Sequence, residues 1–224
     1  MFLVESSSYD LAEGPNYRAF AIKIVYELRK EQIINTQENV QPNTSLTSSQ
    51  QAMAELWEQH MRDEFELHDV DKTMETMVAE PFNTNVPVTT GGVGGDGVRE
   101  FYTKWFIWQN PPNTEITFVS RTIGNNQLVD EVIQKFTHTT QMDWMLPGIP
   151  PTGKRVEVPL VVVVGFRDSK IAYERIYWDQ ASVLVQVGLL DADTLPVVGI
   201  ESAYKVLDPN LPSNMLIERA SQRK

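Results

Sequence analysis

Three side chains in the second half of the chain stand where they could transfer protons. Asp179 closes a predicted strand beside Trp178, and a carboxylate next to aromatic rings loses water, which raises its pKa toward the range of a general acid or base. Asp143 lies in Met142-Asp143-Trp144-Met145, a setting that can desolvate it in the same way, just ahead of a Pro- and Gly-rich loop. His138 is five residues upstream of Asp143 and titrates near neutrality, so the two could share a proton at one cavity mouth. Each has a structural alternative: Asp179 can cap a helix that begins at Gln180, and His138 can be a histidine satisfied within the core. Trp144, Tyr177, Phe136 and Trp105 are the rings expected to line a substrate pocket.

Other chemistries find less support. The glycine-rich run Thr90–Gly97 lacks the G-x-x-x-x-G-K-[ST] pattern, and no lysine follows it before Lys104. Its glycines are read as a tight, positive-φ entry to a helix, with Asp96 placed favourably near the N-terminus, and a lid over a pocket is the other reading. His68-Asp69-x-Asp71 does not converge on an ion from a helix, so no metal site is expected. A G-x-S-x-G elbow is missing. With no cysteine, disulfides, thiolate metal sites, iron–sulfur clusters and cysteine nucleophiles are excluded. Nineteen Lys and Arg against 30 Asp and Glu give a net charge of −11, which repels phosphate backbones and anionic membranes. The opening Met-Phe-Leu-Val reaches Glu5 without a basic segment, and the longest apolar run, Pro159 to Phe166, has eight residues where a spanning helix needs about 20. The expectation is a soluble cytoplasmic protein that binds neither nucleic acid nor membrane.

The elements that must position these residues follow from periodicity. Tyr17, Phe20, Ala21, Ile24, Val25 and Leu28 mark an amphipathic helix, and a polar stretch with Pro42 follows it. The chain is therefore divided into an extension over 1–46, a domain over 47–190 and a tail over 191–224. Thr47/Gln50 and Ser48/Gln51 each spell a capping box ahead of a stripe of Met53, Leu56, Trp57, His60, Met61 and Glu64. That helix is expected to end near His68, with a shorter one from Asp69 through Met77 and an extended stretch over 82–88. A third helix shows Val98, Phe101, Tyr102, Trp105 and Phe106 on one face, with Phe101, Trp105 and Phe106 buried against the sheet.

Glu115 to Ile123, Leu128 to Thr139, Val156 to Phe166 and Ile171 to Asp179 read as four strands joined by short hairpins. Helices followed by a meander give an α+β fold, and a curved sheet around helices makes a cone with a mouth for a small molecule. Val156 to Phe166 is apolar on both faces, so its outer side needs cover, from the first helix or from a second copy; a homodimer is expected.

Gly-Ile-Pro-Pro-Thr-Gly-Lys-Arg-Val over 148–156, with His138 upstream, resembles the H…G-I-P-P-T-G-[KR]-x-V signature of SnoaL-like polyketide cyclases. Phe166 to Ile171 resembles that family's strand-turn-strand, and Trp178-Asp179 followed by Gln186-Val187-Gly188 resembles its ending. The likeness runs over roughly residues 50 to 190. It implies the cone-shaped nuclear transport factor 2-like fold, three helices closing over a curved antiparallel sheet. It further implies an aspartate acid/base on the last strand, here Asp179, working without metal or cofactor, with His138 as a pocket histidine. Asp168-Ser169-Lys170 replaces Asp-Gly-Lys, and Gln141 to Pro147 enlarges the segment ahead of Gly148. The expected function is acid/base chemistry on a small carbonyl compound by Asp179 with His138 or Asp143. The alternative is a hydrophobic small-molecule binding protein of the same fold. What Asp179 faces, a cavity or the amides after Gln180, discriminates them.

Overall fold

The capping box forms as the sequence spells it in the computed structural model, which describes residues 46–222; the helix expected over 17–33 lies outside them. Thr47 Oγ1 accepts from the Gln50 amide at 3.2 Å while Gln50 Oε1 accepts from the Thr47 amide at 3.0 Å. Two amides of the helix start are thereby satisfied, and α1 runs over Ser48–Phe65. Its stripe Met53, Trp57, His60 and Glu64 is buried. Asp69 caps α2 (Val70–Glu75) by accepting from Lys72 N. Next come β1 (Met77–Asn85), β2 (Thr90–Val93) and α3 (Gly94–Phe101). A π turn over Tyr102–Phe106 and a 3-10 turn over Ile107–Gln109 prolong α3. The meander is β3 (Glu115–Ile123), β4 (Gln127–Thr137), β5 (Arg155–Arg167) and β6 (Lys170–Trp178), followed by α4 (Gln180–Gln186), α5 (Glu201–Leu207) and α6 (Met215–Gln222).

The strands form one curved sheet in the order β2-β1-β6-β5-β4-β3. The hairpin turn between β5 and β6 places Asp168 and Ser169 at φ of 53° and 60°, the left-handed pair that a two-residue turn demands. The meander is antiparallel as expected, but β1 joins β6 in parallel. That pairing breaks between Met77 and Phe82, and the break accommodates Pro81, which has no amide to donate. The glycine-rich run is neither phosphate cradle nor lid. Its first half is β2, paired antiparallel with β1, and its second half opens α3. A Cβ on Gly92 would stand 2.3 Å from the Gly97 carbonyl oxygen, so glycine is required there for backbone-to-backbone approach.

The inner face carries Leu128, Val132 and Phe136 from β4 and Val156, Val158, Leu160 and Val164 from β5, all in one core with Met53, Trp57, Phe101 and Tyr102. The third helix departs from expectation at one ring. Phe101 is buried and Phe106 packs on the core, but Trp105 is 40% exposed, with Lys104 over its ring. The π turn is the cause: the wider turn stacks Phe101 on Phe106 at 5.7 Å, five residues apart, so Tyr102 takes an inward place and Trp105 turns out.

On the outer face Val161 lies directly across from Tyr177, and both are exposed. Nearer the hairpin, the Tyr173 ring lies over Gly165, where a Cβ would come within 2.1 Å of it, and stacks on Phe82 at 5.2 Å. Gly165→Ala is expected to displace that ring and to cost about 1–3 kcal/mol, the usual range for overpacking. Urea unfolding measures it, and a loss of stability that persists when Tyr173 is also truncated would assign the cost to the backbone instead. Among the described residues, no helix is long and apolar enough to cross a membrane.

Candidate functional site

Four polar side chains from three elements meet inside the cone. His60 and Glu64 are one helical turn apart on the buried stripe of α1, Tyr102 comes from the π turn, and Glu174 comes from the inner face of β6. All four are buried, with exposures between 0 and 4%. His60 Nε2 is 3.1 Å from Glu64 Oε1 and 3.1 Å from Glu174 Oε1. Tyr102 donates its hydroxyl to Glu174 Oε1 at 3.0 Å and lies 3.3 Å from His60 Nε2. On the other side of the ring, Nδ1 is 2.6 Å from Thr76 Oγ1, and Thr76 spends its own hydrogen on the Thr73 carbonyl. Thr76 can therefore only accept, so the Nδ1 proton is fixed and Nε2 is the atom that faces the glutamates.

The electrostatics follow from this packing. Burial alone would lower the His60 pKa, but the charges of Glu64 and Glu174 outweigh it and raise it to about 10. Burial also pushes the Glu64 carboxyl up, against the opposing pull of His60. Tyr102 is raised well above a phenol's ordinary value by burial and then by the same two glutamates. Nε2 has at most one hydrogen and faces three oxygens, and Glu64 Oε1 is left without a hydrogen bond of good geometry. Such a group can hold, pass or release a proton within about 3 Å at any of its members. Among the described residues, His60, Glu64 and Glu174 also form a set able to hold a metal ion, their ligand atoms lying within 4.8 Å of one another.

A second buried network braces the first. Asp130, from the inner face of β4, takes two hydrogen bonds from Arg121, at 2.7 and 2.8 Å, and a third from Trp57 Nε1 at 2.8 Å. Arg121 also donates to Glu58. The Trp57 ring stacks on His60 with centroids 5.3 Å apart, so the indole connects the two networks.

The residues expected from sequence are scattered. Asp179 is exposed on the outer parity of β6 and accepts from the Ala181 amide at 2.9 Å; it caps α4, the structural alternative, because the strand ends there and the helix needs an acceptor. Asp143 is held by the Gly148 amide at 3.0 Å and by Gln141 and Gln109. Its pKa is lowered, led by the Gly148 hydrogen bond, whereas its apolar neighbours suggested a rise; loop amides win over desolvation. His138 is buried, receives the Thr152 amide on Nδ1 at 3.3 Å, and has its Nε2 without a partner; burial lowers its pKa. Phe136 and Trp144 are core residues, Trp144 meeting Phe106 and Trp178 edge-on. Tyr177 and Trp105 are exposed, on the outer face and on the turned-out side of the π turn. A surface hollow of about 390 Å³ lies elsewhere, lined by Val185, Val198, Ile200, Met215 and Arg219 among others, and includes none of these residues.

The sequence did carry a signal for the buried cluster. His60 and Glu64 interrupt an otherwise apolar helical stripe, and Glu174 shares the inward parity of Ile176 and Trp178. A polar residue on a core-facing stripe must find a partner or lose its charge, and three such residues are a cluster in waiting.

Comparison with known proteins accords with this architecture. No curated protein sequence matches the chain. A putative SnoaL-like polyketide cyclase from Jannaschia sp. CCS1 superposes with a TM-score of 0.53 at 17% identity, covering 66% of this chain and 100% of that one. A putative polyketide cyclase from Xanthomonas campestris pv. campestris gives 0.49 at 15% identity over 63% and 100%. A hypothetical protein with a ketosteroid isomerase-like fold from Catenulispora acidiphila DSM 44928 gives 0.47 at 14% identity over 61% and 94%. The sequence profile described as SnoaL-like polyketide cyclase matches residues 47–187, and the chain belongs to that family.

Proposed function

We propose that this chain performs acid–base chemistry on a small carbonyl compound, such as an aldol closure, an isomerisation or a dehydration, with Glu174 as the base. The observation that carries the reading is a carboxylate that accepts from the Tyr102 phenol and faces the His60 imidazole inside an apolar cone. Glu174 takes the proton α to the carbonyl. As it becomes neutral it needs the phenol less, and the Tyr102 hydroxyl is free to donate to the enolate oxygen. His60 with Glu64 holds the local charge nearly constant while the proton is out of the substrate. The step moves protons only. Membership in the family supports a small-molecule substrate; Asp179, bound to its helix, has no part in it.

Deuterium exchange tests this without the natural substrate. In D2O a panel of β-diketones and β-keto esters should exchange α-protons faster with the protein present, and Glu174→Gln should slow the exchange by at least about 100-fold. Exchange that is equal in the variant removes Glu174 as base. Saturable binding of the same compounds without exchange overturns catalysis in favour of a protein that binds a hydrophobic small molecule.

We also propose that a second copy covers the outer face, where Val161 and Tyr177 are exposed side by side. Sedimentation equilibrium should give a dimer that Val161→Lys weakens; a monomer at high micromolar concentration overturns it.

A further inference from the structure

We infer that His60, Glu64 and Glu174, with Tyr102 Oη beside them, form a binding site for one divalent first-row ion of zinc's preferences. The inference rests on the geometry of the cluster and not on its role in turnover; an ion held by Glu174 would occupy the proposed base, so metal binding and proton exchange are read separately, the exchange on chelator-washed protein.

Four observations converge. The first is distance. A tetrahedral ion with ligands at about 2.0 Å has ligand atoms about 3.3 Å apart; four of the six separations at this centre are 3.1, 3.1, 3.3 and 3.0 Å, and the ligand atoms of His60, Glu64 and Glu174 all lie within 4.8 Å of one another. A hydrogen-bonded group would show similar lengths only if it had hydrogens to fill them, yet Nε2 faces three oxygens with one hydrogen at most. The second is the orphan. Glu64 Oε1 is buried, turned toward Nε2 and without a hydrogen bond of good geometry. The third is the ring's far side. Nδ1 is pinned to a threonine oxygen that can only accept, the arrangement by which proteins orient a ligating imidazole and fix the ligating nitrogen. The fourth is charge and spacing. Two carboxylates balance a dication, and His60 and Glu64 stand at i and i+4 on one helix, the spacing that lets one helical face present two ligands.

The donor set of one imidazole nitrogen and carboxylate oxygens, buried beside the apolar core, suits zinc, and cobalt reports on the same site. The ion would displace the proton from Nε2 and give Glu64 Oε1, which has no hydrogen bond of good geometry, a direct partner.

The test uses the full chain after washing with a chelator. Titration with Co2+ should give one equivalent, visible ligand-field bands of four-coordinate intensity, and displacement by Zn2+. Binding should also raise the melting temperature by mass action. Glu64→Gln and His60→Gln should each weaken binding by more than about 100-fold. Thr76→Val leaves all ligands in place and removes the acceptor for Nδ1, so it should weaken binding by about 10–100-fold; it decides the matter should a ligand variant fail to fold. No saturable uptake, bands of octahedral weakness, or binding indifferent to Glu64→Gln and Thr76→Val overturns the site.

Discussion

His60→Gln is expected to shift the pH at which the protein loses stability from alkaline to mildly acid solution. In the parent the folded-state pKa of His60, about 10, exceeds the ordinary 6.5 of an unfolded histidine. A raised pKa contributes stability that is complete below about pH 6.5 and disappears as pH climbs through the folded value. That difference corresponds to on the order of 5 kcal/mol between those limits. Glu64, also raised, has the same sign: its contribution is complete below its ordinary pKa and falls as pH rises. Without the imidazolium, Glu64, buried to within a few per cent and already raised by that burial, must ionise with no cation beside it. The variant should therefore match the parent most nearly near pH 5, fall behind steeply through neutrality, and draw level again above pH 10, where the parent has lost its proton too. Urea midpoints across that range measure it. A deficit that stays constant with pH would mean that His60 contributes packing and no charge.

Asp130→Ala is the second large effect. The substitution leaves the Arg121 guanidinium, 14% exposed, with Glu58 but without its bidentate partner, and strands the Trp57 N–H. Removing one member of a buried pair costs about 3–5 kcal/mol, because the other is left desolvated. Asp130→Asn keeps an acceptor and should cost less. Chemical denaturation gives both numbers, and a double cycle with Arg121→Met isolates the pair; coupling below about 1 kcal/mol would assign the loss to the indole contact. Because Trp57 stacks on His60, Asp130→Ala should also disturb the buried cluster from one side.

Periodicity and turn chemistry made most of the fold legible. The capping box at Thr47, the stripe on α1 and the hairpins of the meander depend on residues within a few positions of one another, and local physics decides them. β1 begins at Met77, five residues ahead of the extended stretch expected over 82–88, because a break in the β1–β6 pairing accommodates Pro81 inside the strand. Trp105 was turned the wrong way because a π turn leaves no mark in an aromatic-rich helix. The site was read less well than the fold. Asp179, Asp143 and His138 stand out by their neighbours in sequence, but a helix start holds the first and amides hold the second. His60, Glu64, Tyr102 and Glu174 are separated by up to 114 positions, and the strand that carries Glu174 is set among its partners by its pairing with β5 and by the parallel pairing with β1, a long-range contact.

That parallel pairing also dictates an order of assembly. β1 takes its place between β2 and a strand that begins at Lys170, so a chain emerging from the ribosome can form α1 and the β3–β4–β5 meander but must leave β1 without its inner neighbour. Closing so long a loop is entropically costly, and contacts of this separation slow folding. Until β6 arrives, Glu64 and His60 lack Glu174 and face solvent along with the apolar stripe around them. Nascent chains halted before Lys170 should therefore be protease-sensitive across α1 and β1, and those extended past Trp178 and clear of the exit tunnel should become resistant in a single step.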